Sequence, residues 1–160
     1  MADIRAMLTQ YSALNPAPRA RAPARRSPYA LLLDHGVEGC GIALPAEYLP
    51  GLPNNCFSNT LHLCIADPSL TYVEGYAGAI IPIHHAWALD AEGRVIDTTW
   101  DDPEGRSYLG IPFQTDYVLS AALKARHYSV LFNMGFREVL TDPPERFLRQ
   151  PVFDKLNNVL

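Results

Sequence analysis

A thiol, two imidazoles and a carboxylate occur in the central stretch of the chain, in an order that would support nucleophilic chemistry. Cys56 directly follows Asn54 and Asn55, and either asparagine is a good N-cap for a helix that begins beside it. The unpaired N–H groups and partial positive charge of a helix's first turn favour a thiolate and can hold an oxyanion. The sequence therefore predicts Cys56 as a nucleophile; the alternative is an ordinary small buried residue.

Two adjacent histidines compete for the role of base, and the register of a hairpin decides between them. A three-residue loop with Gly93 in the left-handed conformation places His85 on the face that carries Asp97. A two-residue loop places His84 beside Asp97 instead, and Gly93 favours the longer loop. Because Asp97 lies in an apolar, β-branched stretch, it needs a hydrogen-bonded partner, so we expect it to orient the histidine. The alternative for each histidine is a purely structural role.

The elements that position these residues follow from hydrophobic periodicity. A helix beginning at Asn54 or Asn55 ends at Asp67-Pro68 and has one apolar face. An irregular lead-in over 29–53 contains one short helix or strand. Helices are expected over 2–14, 115–126 and 143–149, strands over 70–77, 81–89, 94–100 and 108–113, and the apolar face of the central helix consists of Phe57, Leu61, Cys64 and Ile65. A helix followed by antiparallel strands predicts an α+β fold.

Three segments of the predicted strands, Tyr72–Tyr76, His85–Trp87 and Asp97–Thr99, follow Cys56 in a distinctive order. In this order, over about residues 54–100, the chain resembles the transglutaminase-like superfamily of papain-like cysteine hydrolases. It implies a nucleophile helix packed on an antiparallel sheet, with Cys56 as nucleophile, His85 rather than His84 as base, and Asp97 as orienting acid. The activity it implies is protease, deamidase or transglutaminase-type chemistry on a protein or peptide-like amide.

Further residues near this constellation are candidates for contact with substrate. Asn59 lies one helical turn after Cys56, and large aromatic side chains can line a cleft, although helix surface and core are the common alternatives. The residues expected to bind substrate are Asn55, Asn59, Trp87 and Tyr108. No metal is expected, because adjacent histidines on a strand diverge. No cofactor is expected either, since the chain lacks a phosphate-binding glycine-rich loop.

Composition places the chain among ordinary globular proteins. Its 160 residues suit one domain, and 48% of them are hydrophobic, which suits a buried core. A net charge of -4 argues against a surface built for nucleic acid. Three cysteines indicate neither a disulfide framework nor a zinc site. No signal peptide or membrane span is predicted, so a reducing, cytoplasmic setting is expected.

Residues 15–28 differ from the rest in being rich in proline and arginine. They separate the helix of 1–14 from a single catalytic-type domain over 29–160. A solvated linker is one interpretation. The other is an arm that binds nucleic acid or an acidic partner through Arg19, Arg21, Arg25 and Arg26. On that second interpretation the whole chain is a non-catalytic interaction module.

Overall fold

The protein has an α+β fold, seen in a computed structural model that describes residues 3–14, 26–133 and 136–149. Within those residues, four helices surround a five-stranded antiparallel sheet. The helices are α1 (Ile4–Leu14), α2 (Pro28–His35), α3 (Cys56–Ala66) and α4 (Thr115–Ala125). The strands are β1 (Val37–Cys40), β2 (Thr71–Gly78), β3 (Ile83–Leu89), β4 (Val95–Ile96) and β5 (Ser107–Phe113).

Most elements lie within a few residues of their predicted positions, but the strand predicted over 94–100 is only Val95–Ile96, so Asp97 follows the strand instead of lying within it. The predicted helix of 143–149 is a short 3-10 turn, Pro144–Arg146. The lead-in contains both a helix and a strand. Helix α2 begins at Pro28, inside the predicted linker, because the hydroxyl of Ser27 accepts a hydrogen bond from the N–H of Ala30 and caps the helix.

The sheet curls until its two edges approach each other. Its strand order is β1-β5-β2-β3-β4, and every neighbouring pair is antiparallel. Gly41, just after β1, forms a bridge with Val95 in β4. A Cβ atom placed on Gly39 would lie 2.8 Å from a methyl carbon of Val95. Glycine therefore permits the close approach of the two edge strands.

Two apolar clusters lie on opposite faces of the curled sheet. The larger lies between the sheet and the four helices and includes Tyr72 of β2. The smaller includes Trp87 of β3, together with Val95 and Val37 from the two edges of the sheet. Since both edges contribute to it, the smaller cluster lies inside the curl. Alternation along each strand assigns neighbouring residues to different clusters.

Helix α3 buries a different face from the one that its sequence predicts. Leu61 and Cys64 are buried as expected, but Ile65 is exposed and Phe57 is only partly buried. Cys56 is buried in their place. The helix packs against β2 and β3, and this contact turns its first residue toward the sheet.

Glu74, in the middle of β2, is a buried carboxylate that holds a distant loop against the sheet. It accepts hydrogen bonds from the hydroxyl of Ser129 at 2.5 Å and from the N–H groups of Val130 and Leu131 at 2.8 Å. The N–H group of Phe132 donates to it at 3.3 Å. Burial raises the pKa of Glu74, and these hydrogen bonds oppose that rise. The carboxylate thus fixes the loop 129–132.

Replacing Glu74 with alanine is expected to lower the free energy of unfolding by about 3 kcal/mol, because the buried N–H groups of the loop lose their acceptor. Urea denaturation measures the change. Ser129→Ala is the matched control: it removes one donor, leaves the carboxylate in place and is expected to cost about 1 kcal/mol. A loss in Glu74→Ala no greater than that in Ser129→Ala would contradict this role for Glu74.

Candidate active site

The hairpin that joins β3 and β4 has the three-residue loop that Gly93 predicts. Strand pairing follows the register expected for that loop, and Gly93 has a φ of 78°. The carboxylate of Asp90 accepts hydrogen bonds from the N–H groups of Glu92 and Arg94, at 3.0 and 2.8 Å, and closes the loop. The predicted register is confirmed, and the two-residue loop that would place His84 beside the acid is wrong.

His85 and Asp97 form a hydrogen bond deep inside the protein. The Nε2 atom of His85 lies 2.7 Å from Oδ2 of Asp97, and the two residues are 2% and 1% exposed. The same carboxylate oxygen accepts a hydrogen bond from the hydroxyl of Tyr108 at 3.0 Å. The other oxygen accepts from the N–H groups of Thr99 at 2.9 Å and Trp100 at 3.4 Å. Asp97 is therefore a buried carboxylate with four donors, as a buried charge requires.

The environment of the pair favours the charged form of both groups. Burial by itself would lower the pKa of His85, but the hydrogen bonds to Asp97 and Cys56 outweigh it and raise that pKa from 6.5 to about 9. Burial would raise the pKa of Asp97, yet the hydrogen bond and charge of His85 bring it below its usual value. An imidazolium paired with a carboxylate is the favoured state near neutral pH.

Cys56 is the first residue of α3, and its thiol lies close enough to the ring of His85 to raise the pKa of the histidine. Because Nε2 is bound to Asp97, Nδ1 is the ring nitrogen available to the sulfur. Cys56 is 9% exposed. The fold thus brings the predicted thiol, imidazole and carboxylate together, with the ring in the middle.

The start of α3 leaves hydrogen-bond donors beside the thiol. The first bond of the helix runs from the N–H of Asn59 to the carbonyl of Asn55 at 2.8 Å, so the N–H groups of residues 56–58 have no partner within the helix. Asn55 is the N-cap residue but makes no side-chain cap. Its amide donates instead to the carbonyl of Pro53 at 3.0 Å. These donors are placed to stabilise negative charge.

His84 faces the opposite side of β3 from His85. Its ring stacks on Phe132, with centroids 3.6 Å apart and an angle of 8° between the planes. One ring nitrogen, Nε2, lies 2.7 Å from the hydroxyl oxygen of Tyr76. Burial lowers the pKa of His84. His84 therefore packs against the loop that Glu74 holds, through Phe132, and is not the histidine that pairs with Asp97.

Two stacked side chains cover the face of the His85 ring. The indole of Trp100 lies parallel to the imidazole, with centroids 3.9 Å apart and planes 5° apart. The guanidinium carbon of Arg106 lies 4.3 Å from the Trp100 ring centroid. Arg106 is held by Asp102, whose carboxylate accepts a hydrogen bond at 2.5 Å. The stack fixes the plane of the His85 ring and gives it a π face that favours a cation.

The residues predicted to contact substrate occupy different environments. Trp87 is 1% exposed and packs edge-on against Tyr108 at 5.0 Å. Tyr108 is also buried and donates to Asp97, so we assign it to holding the carboxylate. Asn55 is exposed. The amide of Asn59 is occupied by hydrogen bonds within the protein, which are described below.

The sequence did not predict the contacts that Tyr108 and Trp100 make with the Asp97-His85 pair. Tyr108 reaches Asp97 because the sheet curls until β1, the neighbour of β5, approaches β4. Trp100 lies three residues after Asp97, and that spacing is the one local indication that it lies near the pair. Neither partnership follows from periodicity.

Four arginines were predicted to bind nucleic acid or an acidic partner. Three of them, Arg19, Arg21 and Arg25, lie outside the described residues. Arg26 is described, and it binds the body of the protein: its N–H donates to the carbonyl of Leu140 at 3.0 Å and its guanidinium to that of Asp142 at 2.5 Å. Among the described residues, no cluster of metal-binding side chains occurs, and no helix has the length and apolarity needed to span a membrane.

Comparison with known proteins adds no relative: no family model, no curated protein and no solved structure matches the chain.

The ring of His85 is expected to titrate with a midpoint near pH 9, and Asp97→Asn is expected to lower that midpoint because it removes the paired charge. NMR of the labelled imidazole measures both. The folded pKa lies above the unfolded value of 6.5, so the ion pair's contribution to the free energy of unfolding is complete below pH 6.5 and is lost as pH rises through about 9. An unchanged midpoint in Asp97→Asn would contradict the pairing.

Proposed function

We propose that this chain is a cysteine hydrolase or acyltransferase that acts on amide bonds through Cys56, His85 and Asp97. The observation that carries the proposal is the buried ring of His85, which is hydrogen-bonded to Asp97 while it interacts with the Cys56 thiol. A nucleophile, a base and a group that orients the base are the parts that covalent acyl transfer requires. The substrate class proposed is a protein or peptide-like amide.

In the proposed mechanism Cys56 and His85 form a thiolate-imidazolium pair before substrate binds, with the proton of the thiol held on Nδ1 of His85. The sulfur forms a bond to the substrate carbonyl carbon, and the oxygen takes the displaced electron pair while the N–H groups at the start of α3 donate to it. When the intermediate collapses, the C–N bond breaks and the amine leaves with the proton from His85. Water or a second amine, deprotonated by His85, then attacks the thioester and releases Cys56.

The order and placement of the elements support a papain-like, transglutaminase-like arrangement. Helix α3 begins with the nucleophile, β3 carries the base, and the orienting acid follows β4, the strand next to β3. The residues that resemble that superfamily are the ones gathered at the site. The proposal also includes a reducing, cytoplasmic setting, since all three cysteines are free and the thiol must stay reduced to act.

Cys56 is expected to be alkylated by iodoacetamide near pH 6.5 roughly tenfold faster than an ordinary thiol, because the neighbouring imidazolium favours the reactive thiolate. Peptide mass spectrometry measures each cysteine in the same sample. Cys40 is the exposed reference. Cys64 is the inert one, since burial raises its pKa to about 12. A Cys56 that reacts no faster than Cys40, or at the same rate in His85→Ala, argues against the proposal.

Acyl transfer itself is expected with p-nitrophenyl acetate, which should release nitrophenol and leave an acetyl group on Cys56. Asp97→Asn is expected to slow turnover by roughly a hundredfold or more, because the ring loses its orienting acceptor. Absorbance and intact mass measure release and acylation. Cys64→Ala is the matched control and should keep both. Equal nitrophenol release by wild type and Cys56→Ala would refute the assignment.

A further inference from the structure

Exposed apolar side chains are concentrated in the two segments that flank the Cys56-His85 pair. Ten large hydrophobic residues are exposed among the described residues, and five of them fall in residues 49–52 and 80–83. Those five are Leu49, Leu52, Ile80, Ile81 and Ile83. Single exposed hydrophobic residues are common on protein surfaces, but a cluster beside a reactive group marks a binding site.

Leu52 is held beside the nucleophile by hydrogen bonds to its backbone. Its carbonyl accepts from the N–H of Asn55 at 3.3 Å, a turn that brings the two Cα atoms within about 7 Å of each other. The side chain of Asn59 accepts from the N–H of Leu52 at 3.2 Å and donates to its carbonyl at 2.8 Å. With its backbone so occupied, Leu52 leaves its side chain, 69% exposed, in solvent.

The side chain of Asn59, which clamps the backbone of Leu52, also connects the segment 49–52 to the residues that follow Asp97. The amide of Asn59 also donates to the hydroxyl of Thr99 at 3.0 Å. The N–H of Gly51 donates to the carbonyl of Thr98 at 2.6 Å. Leu52 is therefore fixed relative to both the nucleophile and the acid, and its exposure is not the result of a loose loop.

Ile83 has the corresponding position on the side of the base. It precedes His85 by two residues in β3, so the two side chains share a face of the strand, with Cα atoms about 7 Å apart. Ile83 is 51% exposed, and Ile80 and Ile81 extend the apolar surface along the turn before β3. The reactive pair thus has an apolar side chain on either side.

Charge is absent from both flanking segments. Residues 48–61 and 75–83 contain no Asp, Glu, Lys or Arg. An ionised group that lies against these segments would lose water and gain no counter-ion from them. The segments themselves therefore favour apolar groups over charged ones.

We propose that the site accepts amides whose group next to the scissile carbonyl is apolar, with Leu52 and Ile83 as the specificity-determining residues. This inference rests on the proposed function and names its substrate class. The apolar group lies between the two side chains when the carbonyl carbon meets the sulfur of Cys56. Each methylene that it buries there contributes a factor of about four to the rate of acylation at low substrate concentration.

The test compares the rates at which Cys56 is alkylated by iodoacetamide and by N-hexyl iodoacetamide. The expected result is that the hexyl reagent reacts about tenfold faster than iodoacetamide at Cys56, since partial burial of a few methylenes suffices for that ratio. Cys40, exposed in the same molecule, should show no preference for the hexyl reagent.

Variants at exposed positions separate this inference from the proposed function. Leu52→Ser and Ile83→Thr are each expected to reduce the hexyl preference at Cys56, which is the ratio of the rate with the hexyl reagent to the rate with iodoacetamide, severalfold. Leu123→Ser removes an equally exposed side chain from α4 and should leave the preference intact. A fast Cys56 without a hexyl preference, or one unaffected by both variants, overturns the inference and spares the proposed function. A Cys56 that is slow with every reagent overturns both.

Discussion

A carboxylate that is removed from water needs hydrogen-bond donors, and Asp97 obtains them from three separate parts of the chain. His85 comes from β3, Tyr108 from β5, and the N–H groups of Thr99 and Trp100 from the segment that follows the acid itself. Satisfying this one buried charge therefore requires the hairpin register, the insertion of β5 in the sheet and the turn after β4 all to be correct. The geometry of the candidate site and the closure of the fold depend on the same set of contacts.

Glu74 is a second buried carboxylate on the same sheet. Comparing its hydrogen-bond donors with those of Asp97 explains why only Asp97 suits acid-base chemistry. The donors to Glu74 are backbone N–H groups and hydroxyls, none of which changes charge near neutral pH. One donor to Asp97 is an imidazole with a second nitrogen, which can exchange a proton with a neighbouring group. Glu74 thus fixes a loop, whereas Asp97 controls the orientation and protonation of His85.

Local sequence features were sufficient to predict the parts of the site that depend on local structure. Gly93 and Asp90 determine the loop of the hairpin, and the loop determines which histidine faces Asp97. The start of α3 at Cys56 was also predicted, although the asparagine cap on which that prediction rested does not form, since the Asn55 side chain donates to Pro53 instead. These features are set within about ten residues of chain, where turn and cap preferences act directly.

The parts that were not predicted depend on packing between distant segments. Tyr108 contacts Asp97 only because the sheet curls until the edge strand β1, which pairs with β5, approaches β4, and no pattern within 107–113 specifies that closure. The buried face of α3 differs from the apolar stripe in its sequence, because contact with the sheet, not hydrophobicity alone, decides that Cys56 turns inward and Ile65 outward. The hydrogen bonds between Asn59 and Leu52 were likewise not predictable from the sequence, since they join an amide in a helix to the backbone of an irregular loop.

The three cysteines show how position in the fold, rather than residue type, determines the chemistry of a thiol. Cys64 is buried in the larger cluster, where burial raises its pKa to about 12 and leaves it unreactive. Cys40 is exposed at the end of the edge strand β1. Cys56 lies one and two helical turns before Thr60 and Cys64 on the same face of α3, yet it meets an imidazole instead of an apolar core. Since the two buried cysteines share one helix face, the difference between a core thiol and a candidate nucleophile is set by the neighbour that each sulfur meets, and for Cys56 that neighbour is the ring of His85.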